Sequence, residues 1–200
     1  MGQRHVEPGD ALTIEQAATR LEAEPVVDVA RAAFDHAGEL ATLEYGRPAA
    51  VLGALRLASR RSRHRTLDRS RIASVYDVDP DRVADAEAEI ASYLTPPADA
   101  DEIRTLRRTL IVARELLDAA ERDHGSVHGL ALPGSSFADA APWLLGRASR
   151  ARDRRDDVDQ LGLDEAALRT HVERLEADLE LARLGTKLYA LVHGRDVSEE

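Results

Sequence analysis

Cysteine is absent from the 200 residues, lysine occurs once, at Lys187, and aromatic side chains make up only 4% of the chain. The missing cysteines exclude disulfides, thiol catalysis, iron–sulfur clusters and cysteine-bound zinc. No apolar run approaches the roughly 20 residues that a membrane-spanning helix requires. The N-terminal MGQRHVEPGDALT lacks the apolar stretch of a signal peptide. A cytoplasmic protein without a membrane partner is therefore expected. Strand signals are missing too, because no segment alternates β-branched with polar residues.

What remains is rich in Ala, Leu and Val. Apolar residues are 44% of the chain, enough for a packed core. Ala and Leu lose little entropy in a helix, so this mixture favours helix packed on helix. The net charge is −10 despite 27 basic residues, nearly all of them Arg. Such a surface fits a salt-rich cytoplasm of the archaeal halophile kind, or a GC-rich genome. At molar salt the Debye length is about 3 Å, so a negative net charge there says less against nucleic-acid binding.

The breakers divide the chain. Residues 1–12 are expected to be disordered. Thr13 and Gln16 fit a capping box opening a helix that runs to about Ala23. Pro25 suits the first turn of a second helix, with Val26, Val29, Ala30, Ala33, Phe34 and Ala37 on one face and an end near Thr42. Gly46-Arg47-Pro48 turns into a third helix reaching about Arg61. Its Ala49, Ala50, Gly53, Ala54 and Ala58 make it thin, and Val51, Leu52, Leu55 and Leu57 surround it with bulk. A helix apolar nearly all round is a buried one, so this helix is expected at the centre of a five-helix bundle. Leu67, Ile72 and Val75 mark a short fourth helix. Asp79 caps and Pro80 begins a fifth, with Val83, Ala86, Ile90 and Leu94 inside.

Thr95-Pro96-Pro97 is the clearest breaker, and 96–100 is read as a linker. The second half then echoes the first. Val112–Ala120 parallels Val29–Ala37, Gly134–Asp153 parallels Gly46–Arg63, and Asp156–Leu175 parallels Ser70–Ile90. The order and spacing agree, which points to two helical repeats, 13–95 and 101–194, with a disordered tail at 195–200. Leu168, Val172, Leu175, Leu179 and Ala182 keep a four-three spacing. It suits a coiled-coil seam, but a long helix packed on its own domain is the preferred reading.

These residues resemble a known family. Two five-helix repeats, each with a small-residue third helix after a Gly turn, are similar to the cyclin-like core of archaeal transcription initiation factor B. Gly46–Pro48, Ala49–Arg60, Arg65-Thr66-Leu67, Ile72-Ala73 and Val75 carry the match in the first repeat, although the Leu67–Ile72 spacing is longer than the family's. Gly162–Leu175 carries it in the second, resembling the family's helix-turn-helix segment. The expected fold is thus all-α, two cyclin-like repeats in tandem with the second degenerate. The resemblance implies promoter DNA, TATA-binding protein or RNA polymerase as partners. It also implies a recognition helix on which Arg169 faces DNA, flanked by Thr170 and His171. Arg is well suited to reading guanine by a bidentate pair. Glu173 replaces a Lys of the family, and Asp164 and Glu165 precede the helix, all unfavourable to phosphate. The family's zinc ribbon is not found, so a regulator or adaptor is expected rather than a complete initiation factor.

Two arginine clusters stand out. Arg56, Arg60, Arg61, Arg63, Arg65, Arg69 and Arg71 either contact phosphates or neutralise the acidic fifth helix with its Asp77, Asp79, Asp81, Asp85, Glu87 and Glu89. The second reading is preferred. Arg147, Arg150, Arg152, Arg154 and Arg155 recur in the matching place of the second repeat, which favours phosphate. His124 and His128 are four apart, but Gly125 and Gly129 interrupt any helix, so a loop without metal is expected. Trp143 and Phe137 read as core anchors and Ser135-Ser136 as a helix cap. No catalytic residue, cofactor or small-molecule substrate is expected, and the chain is read as a non-enzyme. The leading expectation is a transcription-associated protein that binds promoter DNA, the basal transcription machinery or both, and the alternative is a helical protein-interaction module that has lost DNA binding. A DNA-binding transcription protein requires Arg169 exposed and both arginine turns on one positive face. A protein-interaction module requires those arginines tied to carboxylates and an exposed apolar groove.

Overall fold

The computed structural model describes residues 12–122 and 165–194, and every regular element among them is helical. The chain divides into two compact units. Unit 1 comprises residues 1–97 and 183–200, and unit 2 comprises residues 98–182.

Unit 1 begins with α1 (Ile14–Leu21). Its capping box is formed, with the Thr13 hydroxyl accepting from the Gln16 N–H at 3.2 Å and the Gln16 side chain accepting from the Thr13 N–H at 3.2 Å. The helix ends at Leu21, two residues short of the expected Ala23, because Glu22 takes the left-handed conformation with φ 56°. A single 3-10 turn (Glu24–Val26) containing Pro25 leads into α2 (Val27–Tyr45). Ala30, Ala33 and Ala37 form its buried stripe, as their spacing predicts. The helix outlasts Thr42 because its stop signal is Gly46, whose N–H caps the Thr42 carbonyl at 3.0 Å.

Helix α3 (Arg47–Arg61) is buried along most of its length and packs against α1, α2, α4 (Arg69–Tyr76) and α5 (Pro80–Ser92). Its small residues matter most at Gly53. A methyl group there would stand 2.8 Å from the backbone nitrogen of Glu87 and 3.2 Å from the carbonyl carbon of Ala86. The backbones of α3 and α5 thus meet with no side chain between them. Helix α4 starts after Asp68, whose carboxylate accepts from the Arg71 N–H at 2.8 Å. Helix α5 starts after Asp79, whose carboxylate accepts from the Asp81 N–H at 2.8 Å. Val83, Ala86 and Ile90 face the core, and Leu94 follows them into it.

Unit 2, as described, is an antiparallel pair: α6 (Ala100–Arg122) and α7 (Glu165–Leu184), the last two residues of which belong to unit 1. Ile103, Leu106, Leu110, Ala113 and Leu117 on α6 meet Val172, Leu175 and Leu179 on α7. Both sets alternate threes and fours, so they make a coiled-coil-like seam inside one unit. The antiparallel sense shows in the ion pairs Arg114–Glu176 and Arg169–Glu121.

One expected boundary is corrected. The C-terminal helix α8 (Thr186–His193) was expected in the second repeat, 101–194, but it belongs to unit 1 and packs on α2. Leu184 and Leu188 are buried there in one cluster with Ala37, Ala41, Ala54 and Ile90. That apolar burial outweighs adjacency in sequence. The turn into α8 needs Gly185, which has φ +77° and lies so close to the Thr95 carbonyl that a side chain would overlap it. The all-α class is as expected. The stretches parallel to Gly46–Arg63 and the core anchors Phe137 and Trp143 lie outside the described residues, as do His124, His128 and Ser135-Ser136.

The contact at Gly53 yields a prediction. Gly53→Ala forces α3 and α5 apart and is expected to destabilise the protein by about 1–3 kcal/mol in urea unfolding, against the stabilisation that Gly→Ala ordinarily brings inside a helix. An unchanged or raised midpoint contradicts the close approach.

Candidate functional site

The first arginine cluster is mostly turned inward. Arg56 and Arg60 lie three and seven residues beyond Gly53, hence on the same helical face, towards α5. There Glu87, buried on α5, receives both. Its carboxylate pairs with Arg56, and with Arg60 at 2.8 Å. Arg60 remains largely exposed, whereas Arg56 is mostly covered. Glu87 thus carries two guanidinium groups on its two oxygens, which satisfies a charge that would otherwise be costly to bury.

Arg61 has a different role. Its guanidinium is buried and donates to the backbone carbonyls of Thr95 at 3.0 Å and Leu184 at 2.9 Å. Leu184 is the last residue of α7, so the cation also suits the negative end of that helix. Burial, then the Arg60 cation, lower the Arg61 pKa, and Glu87 opposes them. Arg61 is therefore a clasp inside unit 1 and is unavailable to phosphate.

The turn after α3 is ordered by serines. Ser59, buried, donates to the Arg56 carbonyl at 2.8 Å and accepts from the Leu67 N–H at 3.1 Å. The Ser62 hydroxyl accepts from the His64 N–H at 3.1 Å. Arg63, Arg65 and Arg71 are exposed, with no carboxylate partner among the described residues, while Arg69 approaches Asp81 at 3.7 Å. The structure thus sorts one sequence cluster into three groups: paired, buried as a clasp, and free in solvent.

On α7, Arg169 is half-exposed and bridges two carboxylates, Glu121 at 2.8 Å and Glu165 at 2.6 Å. The hydrogen bonds to Glu121 and then Glu165 raise its pKa above the ordinary value. The Thr170 hydroxyl donates to the Ala166 carbonyl at 3.0 Å. His171 is half-buried, and burial lowers its pKa, assisted by Arg174 and opposed by Asp178. The three residues sit together on one helix, but Arg169 and Thr170 are engaged within unit 2. Arg150 and Arg152 lie outside the described residues.

Among the described residues no group of three His, Asp or Glu is placed to hold a metal. No described helix is long and apolar enough to cross a membrane. Sequence reasoning passed over the exposed Leu40, Leu43 and Tyr93. The available signal was Leu43, which falls off the apolar stripe of α2 by helical spacing.

Two outcomes follow. Glu87→Ala is expected to cost about 3 kcal/mol in chemical unfolding, because it strands a covered Arg56, whereas Arg60→Ala costs no more than about 1 kcal/mol. Equal costs contradict the distinction. For His171, a pKa held below the usual value of about 6.5 means that its contribution to stability is present above that value and is lost as pH falls through the folded pKa. An NMR titration of the imidazole is expected to show a midpoint below that of free histidine; a midpoint at or above it contradicts the burial argument. No family model, no curated protein and no solved structure matches this chain.

Proposed function

We propose that this chain is a non-enzymatic helical protein-interaction module, an adaptor or regulator acting in the cytoplasm beside the transcription machinery that its resemblance to the initiation factor B core implies. The observation that carries the reading is the fate of the arginines. Arg56, Arg60 and Arg169 are tied to carboxylates, and Arg61 holds two backbone carbonyls. A DNA-reading arginine needs its fork free for a base edge. Arg169 instead lies between Glu121 and Glu165, with Glu173 one turn further along the same helix, and these carboxylates repel phosphate.

The other reading, a DNA-binding transcription regulator with cyclin-like repeats, is supported by the exposed Arg63, Arg65 and Arg71. It is also supported by the modest worth of exposed ion pairs, which Arg169 can exchange for a base at a cost of at most about 1 kcal/mol each.

The decisive experiment is a titration of promoter duplexes from low to molar salt, with Arg169→Ala and the triple variant Arg63→Ala, Arg65→Ala, Arg71→Ala alongside. The expected result is weak, sequence-independent association that Arg169→Ala changes by less than about fivefold, the worth of one exposed pair. Sequence-selective binding that Arg169→Ala relaxes by about tenfold or more establishes the DNA-binding reading instead.

A further inference from the structure

Scattered exposed leucines are ordinary on a protein surface. The second half of α2 departs from that pattern in its grouping. Leu40 is 47% exposed and Leu43 is 85% exposed, one turn apart on the same helix. Glu44 follows Leu40 by four residues, so the two share a face. The charge of Glu44 reaches Tyr93 at the end of α5, which is 48% exposed. Leu40 and Leu43 on α2 and Tyr93 at the end of α5 are the exposed large apolar side chains among the described residues of unit 1, on two helices that pack together.

Three carboxylates lie near this patch. Glu89 acts on Tyr93, and Asp85 and Glu89 both act with Glu44 on Tyr45. Both phenols are held above their ordinary pKa, Tyr45 first by its hydrogen bond to Glu44 and Tyr93 first by the charge of Glu89. Four carboxylates of unit 1 have cations: Glu15 and Asp28 have Arg31, Asp81 has Arg69, and Glu87 has Arg56 and Arg60. Glu44, Asp85 and Glu89 have no cationic partner among the described residues.

We infer that this face, Leu40, Leu43 and Tyr93 with the carboxylates of Glu44, Asp85 and Glu89, docks a basic amphipathic helix of a partner protein. The inference rests on the interaction-module reading above and gives that module its surface. A partner helix supplies apolar anchors at three- and four-residue spacing to the leucines and the ring, and Arg or Lys beside them to the carboxylates. A nucleic acid or an anionic membrane brings phosphates against the same carboxylates and is repelled. A symmetric second copy places like carboxylates opposite one another across a two-fold axis, which is also unfavourable.

The test uses the full chain, isotopically labelled for NMR, and two synthetic helical peptides. One carries Leu at three- and four-residue spacing flanked by Arg; the other carries Glu in place of Arg. The Arg peptide is expected to bind, with amide shifts concentrated in residues 39–45 and 85–94, and the Glu peptide is not. Leu43→Ser, and separately Glu44→Lys with Glu89→Lys, are expected to weaken binding at least about tenfold while helicity and melting stay as in the parent. The exposure of Leu43 makes its variant safe for folding. Shifts elsewhere, equal binding of the Glu peptide, or variants that bind as the parent does overturn this surface. So does a concentration-dependent dimer that Leu43→Ser abolishes. All of these leave the interaction-module reading standing, because that reading is decided by the duplex titration.

Discussion

At Gly53 the backbone of α3 rests directly on that of α5, and much of unit 1 follows from that contact. A larger residue would hold the two helices apart, as side chains between packed helices normally do. With none there, the residues three and seven further along α3 come over α5 at close range. Those residues are Arg56 and Arg60, and the α5 residue beneath them is Glu87. The thin face of the helix and the buried carboxylate are therefore one arrangement. Removing the glycine moves the arginines away from their acceptor, and removing the acceptor leaves the arginines on a face built for it. The last arginine of the helix, Arg61, extends the arrangement to the carbonyls of Thr95 and Leu184.

This architecture bears directly on function. A chain with 27 basic residues invites a nucleic-acid reading, yet charge counted along a sequence is not charge offered to a ligand. The arginines of α3 stabilise packing, and Arg169 bridges two helices of unit 2. Unspent positive charge in the first cluster collects instead at the turn after α3 and at Arg71, whereas Glu44, Asp85 and Glu89 lie without a cationic partner on α2 and α5, two helices that pack together. The protein thus presents surfaces of opposite character on unit 1, and the acidic one includes the most exposed large apolar side chains of that unit.

Much of the fold was legible in the sequence because its signals are local. Thr13 with Gln16, Asp79 with Pro80, and the alanine spacing of α2 each specify an element through neighbours a turn or less away. The thinness of α3 was also readable, and so was its burial. Three features were not. The end of α2 lay at Tyr45 because a glycine beyond it, rather than the fading of the apolar stripe, closes the helix. The placement of α8 depends on Leu184 and Leu188 meeting alanines far away in sequence, which no periodicity reports. The split of one arginine cluster into paired, buried and solvent-facing members depends on which face of α3 meets α5. That follows from Gly53 once the neighbour is known, and the sequence does not name the neighbour.

The clasp at Arg61 has a consequence for how the protein is made. Arg61 and Leu184 are 123 residues apart, and Leu184 and Leu188 complete a core whose other members come from the first half of the chain. A ribosome delivers that first half long before it delivers the closing helix. Until then the alanine face of α2 that α8 covers stands open, and the Arg61 guanidinium lacks one of its two acceptors. A contact between residues so far apart in sequence forms only once the chain between them has been made, so the last helix seats late. Unit 1 is thus begun by its N-terminal helices and finished only when translation has passed through all of unit 2.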